Sequence, residues 1–170
     1  NTDDNDGYIV AQSSGGVWYV NMTESDNTGD AIISKVAVSG EMIIETRIRY
    51  YGANNDIDGR VYLYNDSDNY VFQNFGDNDA NQYHSLTSVY VGISSTDSGA
   101  SAIQADWQVS RLEVRENYVN SSCNSENLNL TLTDIIDSGK IKLSTAPNSL
   151  ARGYILDWIK VTRIRGMEPA

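Results

Sequence analysis

The chain has 170 residues, with 23 Asp and Glu against 12 Lys and Arg, and a formal net charge of −11. A single domain of this length buries a sizeable apolar core without cross-links. The acidity argues against nucleic acid, whose phosphates are bound by Lys and Arg displacing counterions, and no stretch approaches the roughly 20 apolar residues of a membrane-spanning helix.

Residues 8–12 (YIVAQ) and 17–22 (VWYVNM) read as two strands of a hairpin, joined through the turn-forming Ser13, Ser14, Gly15 and Gly16. Strands are expected next at 31–38 and 41–51, linked tightly through Ser39 and Gly40. In 41–51 (EMIIETRIRYY), Met42, Ile44, Thr46, Ile48 and Tyr50 alternate with Glu45, Arg47, Arg49 and Tyr51, the two-residue period of a strand with one buried face. In 60–64, Val61 and Leu63 point to the core and Arg60, Tyr62 and Tyr64 away from it; in 70–75, Tyr70 and Phe72 alternate with Val71 and Gln73. Arginines and tyrosines are therefore expected to share one decorated sheet face. Further strands are expected at 86–93, 107–114, 128–132, 140–144 and 154–165. Polar loops are expected at 53–58, 77–81 and 94–101, with the longest and most asparagine-rich at 117–127. About eleven short alternating runs with no helical amphipathy predict an all-β fold of two packed antiparallel sheets. Residues 1–166 are expected to form one domain, with 167–170 a tail. The start at Asn1, with neither methionine nor signal peptide, reads as a processed form or a piece of something longer.

Three segments, 41–49 (EMIIETRIR), 59–72 (GRVYLYNDSDNYVF) and 139–145 (GKIKLST) followed by 154–161 (YILDWIKV), resemble in order and spacing the concanavalin A-like lectin and glucanase superfamily. The likeness is to the laminin-G-like jelly rolls of secreted and cell-surface proteins, and it implies a jelly-roll sandwich. Retaining glucanases of that superfamily carry carboxylates on alternate residues of one strand, as in E-x-D-x-x-E, and this chain has no such motif. Glu41 and Glu45 are four strand residues apart, about 13 Å, against the 5–5.5 Å or so that retaining hydrolysis needs. They are expected to join a charge ladder across the sheet. His84 is assigned to a polar loop, and no catalytic residue is expected.

Arg47, Arg49, Tyr62, Tyr64 and Phe72 are the candidate ligand-binding set, with rings to stack on sugar C–H surfaces and guanidinium forks for hydroxyls or carboxylates. The same residues suit packing under a loop or against a neighbouring subunit. Asp157 alternates with Ile155, Ile159 and Val161, which predicts a carboxylate on an apolar face in need of compensation. The resemblance implies a structural calcium there, held by Asp157 with Asp6 or Asp30; a hydrogen bond to loop backbone or Trp158 is the alternative. Asn54, Asp56 and Asp58 open an EF-type pattern whose twelfth position is Asn65 instead of Glu. Asn21, Asn65, Asn120 and Asn129 each begin an N-x-[ST] triplet, are placed near turns or strand ends, and are candidate glycosylation sites. A lone Cys123 excludes an internal disulfide. These features predict a non-catalytic module, extracellular or on the cell surface, whose partner is a glycan or neighbouring copies of itself. Residues 8–10 are the candidate edge for assembly into a filament or surface layer. A glycoside hydrolase ranks last for want of paired acids.

Overall fold

Alternating side chains commit a strand to two faces, and a chain built of such strands buries its apolar faces by stacking two sheets. The computed structural model describes residues 2–3, 8–14, 17–24, 31–52, 57–78, 81–99, 107–123, 126–145 and 152–164, with side chains at 31–49, 59–75, 84–99, 107–123, 126–144 and 156–164. The strands are β1 (Thr2–Asp3), β2 (Tyr8–Ser14), β3 (Val17–Glu24), β4 (Ala31–Ser39), β5 (Met42–Gly52), β6 (Ile57–Asp66), β7 (Asn69–Asn78), β8 (Asn81–Tyr90), β9 (Ile93–Gly99), β10 (Gln108–Val114), β11 (Tyr118–Cys123), β12 (Glu126–Thr131), β13 (Ser138–Thr145) and β14 (Arg152–Arg163). No helix occurs among the described residues. One antiparallel sheet runs β1-β4-β13-β6-β7-β8-β9 and the other β12-β11-β10-β5-β14-β3-β2.

Between the sheets, Met42, Ile44, Ile48, Leu112, Val114, Val119 and Leu128 of the second sheet meet Val61, Leu63, Val71, Phe75, Leu86, Ile141 and Leu143 of the first. Each buried aliphatic side chain of this kind contributes on the order of 1.5–3 kcal/mol. The expected alternation of β5, β6 and β7 holds: Val61 and Leu63 are buried in the interior, and Arg47 and Arg49 point out of it. The hairpin β2–β3 closes with Ser14 opposite Val17.

Two expected loops are largely strand. Residues 94–99 belong to β9, paired with β8 across Val91 (φ 50°) and Gly92 (φ 75°), a two-residue turn with both residues left-handed. Most of 117–127 forms β11 and the start of β12, in which Val119, Ser121 and Cys123 point inward and the asparagines Asn120 and Asn129 stand opposite one another. The polar composition concealed them because half of each strand faces solvent. The Cys123 thiol is buried and donates to Gln108 Oε1 (3.3 Å).

His84 lies in β8, not in a loop, and is completely buried, stacked on Phe75 with ring centroids 4.9 Å apart. It ends a polar chain that crosses the core. Gln73 Nε2 donates to Ser110 Oγ (2.9 Å), which meets Thr46 Oγ1 at 2.6 Å; Ser121 Oγ donates to Gln73 Oε1 (2.8 Å); and Ser121 Oγ meets His84 Nε2 at 2.6 Å. Because the single proton of Ser121 is committed to Gln73, His84 must supply the other one, so its Nε2 carries hydrogen and its Nδ1 a lone pair. Nδ1 has no hydrogen-bond partner and faces Glu126 Oε2 at 3.9 Å. Burial drives the imidazole down to about 4, against the upward pull of Asp97.

One close approach positions the outer face of the first sheet. A Cβ on Gly139 would stand 2.7 Å from the backbone oxygen of Tyr64, so glycine alone lets β13 lie against β6 there. That approach brings Lys140 opposite Tyr64 and Lys142 opposite Tyr62.

Candidate functional site

The outward residues of β13, β6, β7 and β8 form rows across the first sheet. In one row Lys142, Tyr62, Phe72 and Thr87 are successive cross-strand partners; in the next, Lys140, Tyr64, Tyr70 and Val89. Tyr62 and Phe72 stack with centroids 4.9 Å apart and planes 28° from parallel, and Tyr64 and Tyr70 stack at 6.4 Å and 29°. Tyr70 and Phe72 are joined at 5.8 Å, so the four rings make one continuous surface. Tyr62 is only 7% exposed and supports the other three, which are partly open to solvent.

Cations border the rings. Lys142 Nζ lies 4.8 Å from the Tyr64 centroid and 5.3 Å from that of Tyr62, and the Arg60 guanidinium lies 5.5 Å from Phe72. In the adjoining row Ser144, Arg60, Asn74 and Ser85 follow one another. Asn74 is 7% exposed, and its Oδ1 has no hydrogen-bond partner. A buried amide oxygen without a donor is costly in a folded chain. The arrangement can stack an apolar ring face on Tyr64, Tyr70 and Phe72 and accept a hydroxyl proton at Asn74. Sequence reading placed three of these rings in the site but missed Tyr70, Lys142 and Asn74. The alternation of Tyr70 with Val71 was the available signal for the first of them.

No family model matches the chain, and no curated protein sequence matches it. Solved structures match over nearly its whole length. The exoplasmic/lumenal domain of VIP36 in its Ca2+/Man3GlcNAc-bound form gives a TM-score of 0.73 at 10% identity, covering 99% of this chain and 85% of that one. The carbohydrate binding module CBM66 from Bacillus subtilis gives 0.69 at 12%, covering 92% and 91%. A Bacteroides ovatus GH16 protein in complex with a G4G4G3G product gives 0.70 at 12%, covering 91% and 85%. The chain folds as a concanavalin A-like jelly roll. At these identities the likeness is one of fold.

The jelly roll divides the expected ligand set. Arg47 and Arg49 lie on the outer face of the second sheet, whereas Tyr62, Tyr64 and Phe72 lie on the outer face of the first, so the five share no surface. Arg47 and Arg49 instead sit over Trp107, 4.9 and 5.4 Å from its ring centroid. Around them runs the expected charge ladder: Glu45 with Lys160 (3.1 Å), Glu113 with Arg111 and Arg115 (2.7 Å each), and Glu41 with Arg115 (3.0 Å). The Glu116 amide and then the Arg115 side chain hold the Glu41 carboxyl below its usual range. Burial pushes the Glu113 carboxyl up, but hydrogen bonds from Arg115 and Arg111 outweigh it and keep that group low as well.

Asp157 is not forced onto the apolar face. The β14–β5 register shifts between Leu156 and Trp158, a bulge that re-aims the side chain toward Arg47, with which it forms an ion pair. Arg47 thus supplies the compensation for which a cation was invoked, and the described residues hold no group of three or more His, Cys, Asp or Glu able to bind a metal. Asp6 and Asp30, the expected partners of Asp157 at a calcium, lie outside the described residues, as do the side chains of Asn54, Asp56 and Asp58.

Of the sequon asparagines, Asn65 is exposed beside the β6–β7 turn, as expected. Asn120 and Asn129 are not at turns but face one another within β11 and β12, with Asn129 Nδ2 donating to Asn120 Oδ1. Asn21 lies within β3 opposite Val10 and Ile155; its side chain is outside the described residues. The expected tail, 167–170, is outside them too. A cleft of about 210 Å³ opens at one end of the jelly roll between Ser88, Tyr90, Ile93, Ser95 and Leu132–Asp134. Its described lining has one carboxylate and no cation, and no other titratable group but the Tyr90 phenol.

Proposed function

We propose that this jelly roll is a non-catalytic carbohydrate-binding module of an extracellular or cell-surface protein, with its ligand on the outer face of β13, β6 and β7. The observation that carries the reading is the four-ring surface with the buried, donorless Asn74 oxygen in the next row. Sugars present C–H faces that stack on aromatic rings and hydroxyls that need partners. A fold shared with a lectin-type domain and a carbohydrate-binding module supports the reading, while the GH16 likeness leaves catalysis to be decided by carboxylates. The acids weighed as a pair, Glu41 and Glu45, are on the opposite sheet and each is bound to a cation. No helix among the described residues is long and apolar enough to cross a membrane.

On a glycan array, the protein is expected to bind at least one carbohydrate, and Phe72→Ala to weaken that binding by about tenfold or more, the loss typical of an anchoring ring. Tyr64→Ala provides the same test should Phe72→Ala lower the melting temperature. Arg49→Ala, on the other sheet, is expected to bind as the parent does. Equal losses in Arg49→Ala and Phe72→Ala would remove the ring face from the account.

A second reading rests on β2, which ends the second sheet and pairs only with β3 among the described strands. A strand edge of this kind can accept a strand from a neighbouring copy. Polymers in electron micrographs of the purified protein, lost when Val10 is replaced by Pro, are the outcome expected of a filament subunit. A monodisperse monomer at high concentration would dismiss it.

A further inference from the structure

The charge pattern of the two outer faces differs in a way that names a ligand class. In a chain of net charge −11, three of the four lysines, Lys35, Lys140 and Lys142, lie on the neighbouring strands β4 and β13. Every described ion pair between Lys or Arg and a carboxylate is on the second sheet or at its margins: Arg47 with Asp157, Arg111 and Arg115 with Glu113, Arg115 with Glu41, and Lys160 with Glu45. Lys140 and Lys142 take part in none. Lys142 lies over Tyr62 and Tyr64, and Lys140 stands exposed at the end of the Tyr64–Tyr70 row.

Among the described side chains, the outward positions of β4, β13, β6, β7, β8 and β9 carry no acid until the β6–β7 turn. The Asp66 carboxylate there is held by Asn69 Nδ2 (2.9 Å) and the Asp68 amide (2.9 Å), which keep its pKa low. An acidic protein thus presents, on its aromatic face, ammonium groups that no described carboxylate neutralises. Exposed lysines in such a chain would ordinarily find acids, as Lys160 does. At physiological ionic strength the Debye length is about 8 Å, so a ligand on this face senses these lysines more than the carboxylates of the opposite sheet.

Resting on the carbohydrate-binding reading above, we propose that the ligand is an acidic polysaccharide, whose sugar rings stack on Tyr64, Tyr70 and Phe72 while its carboxylates meet Lys142 and Lys140. Spacing favours a polymer over a single charged sugar, because the two lysines are alternate residues of one strand, roughly 7 Å apart, and each would meet a different sugar unit.

The test separates charge from sugar shape. Polygalacturonate, alginate and hyaluronate are each compared with their methyl esters, which keep the sugar stereochemistry and remove the charge, by affinity electrophoresis and titration calorimetry. At least one acid form is expected to bind about tenfold or more tightly than its ester, with Lys142→Gln reducing that preference several-fold and leaving the melting temperature unchanged. Lys160→Gln, on the second sheet, is expected to keep the preference. Acid and ester bound equally, or a neutral glucan bound in preference to both, would overturn the inference and leave the ring face standing as a sugar site. Binding to no carbohydrate at all, acidic or neutral, would overturn the inference and the carbohydrate reading together.

Discussion

Lowering the pH from 7 to 4 is expected to remove about 3 kcal/mol of unfolding free energy through His84 alone, at 1.36 kcal/mol per unit of pKa difference. The imidazole is wholly enclosed, with Phe75 stacked on it, Ser121 taking its Nε2 proton, Gly99 opposite it on β9 and Glu126 facing its Nδ1 from β12. Its folded pKa of about 4 lies below the 6.5 of the unfolded chain. Between those values the unfolded state binds a proton that the folded state refuses, so stability is fully present above pH 6.5, falls as the pH drops, and stops falling below about pH 4. The lowered carboxyls Glu41 and Glu113 start from an unfolded value of 4.5, so their contributions are lost only below that pH. Urea unfolding between pH 6.5 and 4.5 therefore separates the histidine from these two carboxyls. His84→Gln keeps an N–H for Ser121 and cannot titrate, and its stability is expected to be flat across that interval. An equal slope in both proteins would show that His84 is not the group responsible.

Replacing Gln73 by Leu is expected to cost about 3 kcal/mol, the scale of buried hydrogen-bonding groups left without partners. Gln73 is completely buried, and its amide joins β10 to β11 from the opposite sheet, donating to Ser110 and accepting from Ser121. Leucine fills the space but leaves the Ser121 proton without an acceptor and takes from Ser110 the Gln73 donor, leaving it only Thr46. Because Ser121 also receives the His84 proton, the loss should spread along the chain of bonds. A double-mutant cycle of Gln73→Leu and Ser121→Ala, read from urea midpoints, is expected to show coupling of about 1 kcal/mol or more. Strict additivity would mean that the groups act independently. The glycan binding proposed above should persist in Gln73→Leu at temperatures where it remains folded, since Gln73 points inward and the rings of Tyr70 and Phe72 outward.

Both effects come from polar residues that the sequence conceals. His84, Gln73, Ser110 and Ser121 look like loop or solvent-facing residues along the chain, because their partners are 37 or 48 positions away. Burial becomes tolerable only when the sheets stack and each group meets another. The asparagine-rich run at 117–127 is obscured similarly: its inward side chains are few and short, and its strand character comes from the pairing of β11 with β10 and β12. The bulge at Asp157 leaves no trace in the alternation, since it exists only in the register between β14 and β5.

By itself the sequence determined the strand character of most of this chain and the sides that the described residues of β5, β6 and β7 take, because a two-residue period is a property of the local backbone. It therefore announced the all-β sandwich, the aliphatic interior and the outward rings of Tyr62, Tyr64 and Phe72. Only the tertiary structure decided which sheet each strand joins. Strands β5 and β6 follow one another along the chain yet belong to different sheets, so Arg47 and Tyr62, both outward, face away from each other across the whole sandwich. Alternation distinguishes the two sides of one strand; which outer face a side shares is set by hydrogen bonding between strands distant in the chain, and that pairing put Lys142, not Arg47, beside the rings.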